Sequence, residues 1–415
     1  MACFRRFGLV LVILSGLASV ANAQGKLTGG VPHERELARL GLTRMWWGQI
    51  VMDPRRDKIA HMRADESMVY VQATSGIVTA FNAETGRRVW SILLGRPDQE
   101  FYPVATNDTT VFLAGGMRVF AVEKTTGVKR WELELPHHPS AAPEVDEEFI
   151  YIGMVDGSVF AYDLRRVEEL YRENMLPEWS HVALHWRYKT PMEVTSPPVS
   201  TGRLVAFTSL NGTVYGIEKE QSKLVFQFET DGEIRLPMAH DNDSLYVATD
   251  DQRLFCLNQL TGRTRWAFAS GVPMYSSPKV IGPHVFIAPF GGGLYCLSRT
   301  SGLMQWPRAQ QLATEFVAAS PERVYAGDDL GNLLVLSRQT GQVTGVLQSR
   351  NLSIRLSNER TDRIFLASPS GLVVALRERG RSFPQYHMFP ERRPILPEFA
   401  PDPPAAAADD TTIDP

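Results

Sequence analysis

The sequence predicts an all-β fold, an eight-bladed β-propeller of four-stranded blades. Three observations predict it: a repeat of about 40 residues, four short strand patterns in each repeat, and a recurring Thr-Gly turn that a tryptophan follows four residues after the glycine. The chain has 415 residues, of which 44% are hydrophobic and 21% charged. This is the balance of an ordinary globular protein with a large core.

The repeat is marked by a turn residue, usually glycine, that opens a segment of the form G-x-V-x-A-[FL]-[ND]. The eight marks are Gly76, Met117, Gly157, Gly212, Gln252, Gly292, Gly331 and Gly371. Successive intervals are 41, 40, 55, 40, 40, 39 and 40 residues, so one insertion of 15 residues in the third repeat explains the single irregular interval. Eight marks predict eight blades.

Each repeat contains four strand-like segments, which the sixth repeat illustrates. Its segments are SSPKV (276–280), HVFIAP (284–289), GLYCLS (293–298) and a tryptophan segment around 303–308. Valine, tyrosine and phenylalanine alternate there with small or polar residues, and glycine, asparagine and aspartate separate the segments across the repeats. We therefore predict four antiparallel strands in every blade.

The repeated tryptophans are interpreted as structural. They lie 14 residues after the mark in four repeats and 29 after it in the third, at Trp90, Trp131, Trp186, Trp266 and Trp306. The glycine of the preceding turn tolerates a positive φ, and the large indole is suited to packing on the neighbouring blade. Phe226 replaces the tryptophan in the fourth repeat and Gly345 in the seventh.

The eighth repeat lacks a convincing fourth strand. The only unassigned strand-like stretch is TRMWWGQIV (43–51), which carries Trp46 and Trp47. We predict that this N-terminal strand completes blade eight and closes the ring, because closure leaves no open sheet edge.

The insertion in the third repeat, residues 164–178, is predicted to be a short amphipathic helix between the third and fourth strands of blade three. Val167, Leu170, Tyr171 and Met175 have helical spacing, with charged residues on the other face. This apolar stripe has two interpretations, an anchor for a binding partner or a face that packs on blade three.

The termini indicate export. Residues 1–23 have the basic start, apolar run and Ala-Asn-Ala site of a signal peptide, cleaved near Ala23. Residues 24–42 are then a lead-in with a short helix, 43–380 the propeller, and 381–415 a proline-rich, partly disordered tail. No later apolar run reaches the length of a membrane helix, so we expect a soluble protein that is periplasmic or otherwise exported. We also expect a monomer.

Charge and cysteine content exclude several classes of function. Loss of Arg5 and Arg6 with the signal changes the formal charge from -3 to -5, which leaves no basic footprint for nucleic acid. Cys256 and Cys296 lie at the same offset in neighbouring repeats and are expected to be buried free thiols. We find no motif for a catalytic, cofactor-binding or metal-binding residue.

A polar channel is the remaining candidate site in the sequence. The innermost strands are predicted to contain IRLP (234–237) and IRLS (354–357), which places Arg235 and Arg355 near the axis, with Tyr102, Glu193 and Tyr275 at comparable positions. They are either the lining of a groove for a peptide or ligand or solvated residues of an open channel.

The repeat resembles the pyrroloquinoline-quinone (PQQ) type of propeller over residues 43–380. The motif that carries the resemblance is AFNAETGRRVW (80–90) and CLNQLTGRTRW (256–266). One group with this repeat is the quinoprotein dehydrogenases. A resemblance of the chain to these enzymes would imply a pair of adjacent cysteines and a calcium site. The other is the BamB outer-membrane assembly family, which the chain resembles more. That resemblance implies a scaffold without a cofactor that binds envelope proteins; a PQQ-dependent dehydrogenase and a sugar- or peptide-binding sensor are the alternatives.

Overall fold

A computed structural model describes residues 30–96, 99–241 and 243–388. The predicted signal peptide and the tail beyond residue 388 lie outside these residues. The described residues contain two α-helices, α1 (Glu34–Arg39) before the ring and α2 (Leu164–Arg172) in the insertion, and a 3₁₀ turn at Ser180–Ala183 follows α2.

The described strands form eight antiparallel sheets that are the blades of a ring. From the axis outwards, blades one to four contain β2 (Ile59–Ala64), β3 (Met68–Ala73), β4 (Ile77–Asn82), β5 (Arg88–Leu93); β6 (Ala105–Thr106), β7 (Thr110–Gly115), β8 (Arg118–Glu123), β9 (Lys129–Glu134); β10 (Glu144–Val145), β11 (Phe149–Gly153), β12 (Ser158–Asp163), β13 (Leu184–Lys189); and β14 (Val199–Thr201), β15 (Leu204–Ser209), β16 (Thr213–Glu218), β17 (Leu224–Glu229). Blades five to eight contain β18 (Ala239–His240), β19 (Ser244–Ala248), β20 (Arg253–Asn258), β21 (Thr264–Ala269); β22 (Lys279–Ile281), β23 (His284–Ile287), β24 (Tyr295–Ser298); β25 (Glu315–Ala319), β26 (Arg323–Gly327), β27 (Leu333–Ser337), β28 (Val343–Leu347); and β29 (Ile354–Arg355), β30 (Ile364–Ala367), β31 (Leu372–Glu378), β1 (Leu42–Gln49).

The eight-bladed fold is therefore confirmed, with one local correction in blade six. The segment around 303–308 is not a strand there, and only isolated bridges join Met304 to Leu297 and Gln310 to Leu294. Pro307 lies within this segment and has no N–H to donate to the sheet. Trp306 is nevertheless buried, so the segment keeps its packing role without the regular ladder.

The N-terminal strand closes the ring as predicted. β1 pairs with β31 from Leu42 opposite Glu378 to Gln49 opposite Leu372, with an irregularity between Arg44 and Trp46. Trp46 is 7% exposed, whereas Trp47 is 43% exposed, so Trp46 is the tryptophan that packs.

The short helix α1 packs behind the closing strand. Leu37 is fully buried in a cluster with the cores of blades seven and eight. Next to it, the Leu40 Cδ2 atom lies 2.4 Å from where a Cβ of Gly345 would stand. Leu40 therefore occupies the space that a side chain at position 345 would need, which is the physical reason for glycine there.

Five tryptophans of the described residues each bond their blade to the next one. The Trp90 Nε1 atom donates to the Lys124 carbonyl at 2.8 Å, and the Trp266 Nε1 atom donates to the Arg299 carbonyl at 2.9 Å. The pattern recurs for three more pairs: Trp46 to Ala83, Trp186 to Lys219 and Trp306 to Arg338. In every pair the acceptor belongs to the following blade.

The turn glycine lies directly against the same indole. A Cβ on Gly127 would stand 2.5 Å from Trp90, and one on Gly302 would stand 2.5 Å from Trp266. The Thr-Gly turn and the tryptophan are thus two halves of one contact between neighbouring blades. This contact explains why both recur together in the sequence.

Candidate functional site

The ring has two faces. One face is formed by the turns between the second and third strands of each blade and by the segments that join consecutive blades. We call this face the loop face. The opposite face is formed by the turns between first and second strands, and between third and fourth strands, and it carries the insertion.

Four of the predicted channel residues, Tyr102, Glu193, Arg235 and Tyr275, lie in the joining segments on the loop face, whereas Arg355 lies on the innermost strand β29. None of the five is in the wall of the two cavities described below at the ring axis. Arg355 has a side chain only 6% exposed and pairs with Glu315. The Tyr102 hydroxyl donates to the Pro139 carbonyl at 2.8 Å, and Glu193 is half-buried. The innermost-strand position predicted for Arg355 is therefore found, but that predicted for Arg235 is not, because its joining segment crosses the loop face before the chain turns down the axis. Channel lining by the five residues stays a prediction.

The other two predicted channel residues are exposed on the loop face. The Arg235 Nε atom lies 3.0 Å from Asp250 Oδ2, and the guanidinium also contacts the Glu233 carboxylate. The Tyr275 ring packs edge-on against Phe290, with 5.7 Å between the ring centroids. These two residues are available to a partner.

The joining segments are fixed to each other by hydrogen bonds. The bond from Tyr102 ties the first segment to the second, and Ser140 Oγ donates to the Val194 carbonyl of the third at 2.6 Å. Thr195 Oγ1 donates in turn to the Ile234 carbonyl at 2.5 Å. Four successive segments therefore form one connected surface, which reduces the ordering cost of binding.

The most exposed apolar side chains concentrate on the loop face. Eight large apolar side chains in the described residues are at least 60% exposed. Six of them belong to the loop face: Val51, Leu93, Tyr275, Phe290, Leu312 and Leu330. The two on the opposite face are Val128 and Leu303.

A cleft lies on the same face. It has a volume of about 1090 Å³ beside blades one to three, with the exposed side chains of Leu93, Met117 and Val155 in its wall. Arg118 and Glu132, which form an ion pair, are also in the wall. The cleft thus offers apolar contacts next to charged groups.

The insertion stripe is divided between core and surface. Val167 and Leu170 are fully buried in a cluster with Trp131, and Met175 packs against that cluster. Tyr171 is 47% exposed. For Val167 and Leu170, the interpretation as an anchor for a partner is therefore wrong, and these two residues belong to a packing face. The reason is that α2 takes the place of the Thr-Gly turn in blade three and covers Trp131.

Aspartates in the turns between strands, and the two cysteines of the propeller, have structural roles. Asp241 Oδ1 accepts from the backbone N–H of Ser244 at 2.8 Å, and Asp328 Oδ1 accepts from that of Asn332 at 2.7 Å. Cys256 and Cys296 are buried free thiols, as predicted, and burial raises the pKa of Cys296 to about 12. In residues 30–96, 99–241 and 243–388, no three His, Cys, Asp or Glu side chains are grouped to hold a metal ion.

Sequence reasoning missed the charged residues that do line the axis: Arg63, Glu144, His240, Lys279, Glu359 and Arg360. One signal was available. Glu144 and Lys279 each follow a proline in an innermost segment, in PEV and PKV. Proline is tolerated at such an unpaired inner edge, and the next residues run along the channel wall.

None of the helices among the described residues has the length and apolar content that spanning a bilayer requires.

This architecture defines the class of protein, which is an eight-bladed propeller of PQQ-type repeats with tryptophan contacts between blades. The family model described as outer membrane protein assembly factor BamB matches residues 49–139, 74–183, 183–274 and 231–382. These matches together span most of the chain, and the protein belongs to the BamB family.

Individual relatives are distant. The BamB of Shewanella oneidensis is 21% identical over 253 residues, which cover 59% of this chain and 61% of that protein. The match therefore spans less than two thirds of that relative's length. A tetrathionate hydrolase of Acidithiobacillus ferrooxidans is 30% identical over 103 residues, which cover 24% of this chain and 20% of the enzyme.

A solved structure supports the fold independently. The crystal structure of BamB from Moraxella catarrhalis matches with a TM-score of 0.63 and 16% identity. The match covers 82% of this chain and 98% of that one.

Proposed function

We propose that the protein is an exported, periplasmic and non-enzymatic scaffold that aids the assembly of outer-membrane proteins, and that it binds a protein partner through the loop face. Membership of the BamB family and the predicted signal peptide support the location and the process. The observation that carries the binding surface is the concentration of the most exposed apolar side chains on the loop face.

The loop face has the features that protein interfaces use. A few aromatic and arginine residues usually carry most of the binding energy. Tyr275 and Phe290 form an exposed aromatic pair, and Arg235 lies one blade away with its two acidic neighbours. A partner would bury the aromatic pair and be oriented by the charges around it.

The enzyme alternatives receive less support. The two cysteines of the propeller stand 40 positions apart in the sequence, in blades five and six, so they are not the adjacent pair of a quinoprotein dehydrogenase. The match to tetrathionate hydrolase is as long as two to three repeats and supports the shared repeat alone. No described feature favours a sugar-binding sensor over a protein-binding scaffold.

A deletion strain of the native bacterium tests the process. We expect loss of the gene to lower the amounts of folded outer-membrane proteins, measured by heat-modifiable gel mobility, and the wild-type gene to restore them. Unchanged outer-membrane proteins in the deletion strain would show that the proposed process is wrong.

Paired variants test the surface in the same strain. Tyr275→Ser with Phe290→Ser should fail to restore folded outer-membrane proteins at normal protein levels. Val128→Ser with Leu303→Ser, which removes equally exposed side chains from the opposite face, should restore them. The reverse pattern would move the binding surface to the opposite face.

A further inference from the structure

Two adjoining cavities lie on the axis of the ring, towards the face opposite the loop face. Their volumes are about 220 Å³ and 170 Å³, and their shared wall includes Arg63, Glu144, Pro197 and Arg360. The wall is built by the innermost segments of most blades. We call these two cavities together the axial pocket.

Charged side chains from five blades converge on the axial pocket. Arg63 comes from blade one, Glu144 from blade three, His240 from blade five, Lys279 from blade six, and Glu359 and Arg360 from blade eight. Between them the wall is largely proline and apolar, with Pro198, Met238 and Leu356 among its members. Such a wall limits water around the charges and strengthens their interactions.

The positive charges exceed the negative charges in this wall. Lys279 and Glu359 form an ion pair. Arg63 and Arg360 are in no ion pair with a described carboxylate. Their positive charges nevertheless oppose the rise in the pKa of Glu144 and contribute to the lowered pKa of Glu359. Three cations against two carboxylates leave a charge of +1. Asp65, also in the wall, does not change this sum because Lys124 neutralises it at 2.8 Å.

Two further groups in the wall lack good partners. The Arg360 Nη1 atom contacts the Met388 Sδ atom at 3.0 Å, and a thioether is a weak acceptor for a guanidinium. Ser357 has a buried hydroxyl with no hydrogen-bond partner in the described part of the chain. Both donors belong to the same wall as the excess positive charge.

We infer that the axial pocket binds a small oxyanion, a carboxylate or phosphate group, through Arg63 and Arg360, with Ser357 beside them. Guanidinium groups present paired N–H donors that match the geometry of such oxyanions. The pocket has room for several water molecules, each of which takes about 30 Å³, and so accommodates a small anion. This site lies apart from the loop face and does not depend on the proposed function.

Glu144 makes the site sensitive to pH. Burial raises the pKa of Glu144 to about 7 against the opposing effect of Arg360 and Arg63, and Asp146 adds to the rise. Protonation of Glu144 changes the charge of the wall from +1 to +2. His240 stays neutral near pH 7 because burial lowers its pKa, with Glu359, Arg360 and Asp241 as its charged neighbours. Anion binding should therefore tighten as the pH falls through about 7.

The anion can come from two sources. One is a free anion in solution. The other is this chain, because Met388 is in the pocket wall and the sequence after it carries Asp409, Asp410 and Asp414. The 21 residues from Met388 to Asp409 reach up to roughly 70 Å when extended, far more than the pocket requires.

Calorimetric titration of the full mature chain with sulfate tests the site, since sulfate keeps its charge across the pH range. We expect saturable binding of one sulfate per chain. Arg63→Gln and Arg360→Gln should each raise the dissociation constant at least tenfold, with an unchanged melting temperature. The matched control Arg235→Gln, an arginine of the loop face, should bind sulfate as the wild type does.

Two further variants of the full chain identify the pH sensor and the source. Glu144→Gln should bind sulfate with an affinity that no longer changes between about pH 8 and about pH 6. Replacing Asp409, Asp410 and Asp414 by Asn should tighten sulfate binding if those carboxylates occupy the pocket, and should leave it unchanged if free anions do. The inference is wrong if neither the wild type nor the tail variant binds sulfate saturably, or if Arg63→Gln and Arg360→Gln bind it as well as the wild type.

Discussion

At the residue scale, a tryptophan and a glycine on neighbouring blades form one contact that recurs around the ring. The indole contributes packing area, and its Nε1 donates to a backbone carbonyl of the next blade. The glycine has no Cβ and so leaves space for the indole. In blade four Phe226 keeps the packing against Gly262 without the hydrogen bond. The geometry assigns these residues to stability.

Replacing Trp266 by alanine should destabilise the fold by about 3 to 5 kcal/mol, because the change leaves a cavity between two blades. It also removes the donor to the Arg299 carbonyl. Urea unfolding followed by circular dichroism measures the loss. The matched control Trp47→Ala, at an exposed tryptophan, should cost much less, and equal losses for the two variants would contradict the structural role.

The steric contact between the turn glycine and the indole can be tested separately from the effect of the glycine's positive φ. Gly302 has φ +70° and lies against Trp266, whereas Gly271 has φ +77° and nothing near its missing Cβ. Alanine at Gly271 should cost only the strain of a positive φ, about 1 to 2 kcal/mol. Alanine at Gly302 should cost a further ~1 to 3 kcal/mol from overpacking against the indole. Similar melting temperatures for both variants would mean that the indole moves aside freely.

At the element scale, the insertion breaks the symmetry of the repeat but still forms the packing contact between two blades. Helix α2 begins after Asp163, whose side chain accepts from the backbone N–H groups of Arg165 and Arg166. Its buried face covers Trp131 where blades one, two, five and seven have a Thr-Gly turn. The helix therefore replaces a missing contact, and only its outer face is free for other uses.

The two neighbouring residues Leu170 and Tyr171 separate core from surface. Leu170→Ser should lower stability by about 2 to 5 kcal/mol, since it both opens a cavity and buries a hydroxyl. Tyr171→Ser should have little effect, because nearly half of the Tyr171 side chain is exposed. Thermal unfolding of both variants measures this, and a stable Leu170→Ser variant would contradict the packing of α2.

Local pattern predicted the strands well because each blade repeats the same alternation and turn. It could not predict the loss of the outer strand in blade six, where Pro307 interrupts the ladder, or the packing of the tail, where Tyr386 is buried and bridges to Thr361. It also could not predict that Arg355, on the innermost strand β29, pairs with Glu315 of the preceding blade. Such contacts join residues distant in sequence, and only the closed ring defines them.

At the scale of the whole molecule, ring closure is the feature on which the other contacts depend. Strand β1 supplies the outer edge of blade eight and brings Trp46 against Gly86 of blade one. The first and last repeats are thereby joined at the same kind of contact as the others.

Deleting residues 24–49 should expose the edge of β31 and the cores behind α1, so we expect aggregation and loss of a single cooperative transition. Gel filtration and calorimetry measure both effects. Deleting residues 389–415, which are outside the described ring, is the control and should leave unfolding unchanged. A monomeric, cooperatively unfolding protein without β1 would contradict the closure.

The proposed function requires that the loop face binds a component of the outer-membrane protein assembly machinery. The most direct measurement is photo-crosslinking in living cells, with a photoreactive amino acid placed at Phe290 on the loop face or at Leu303 on the opposite face, both 68% exposed. We predict that position 290 crosslinks to such a component and that position 303 does not. Crosslinks from position 303 alone, or from neither position, would contradict the account.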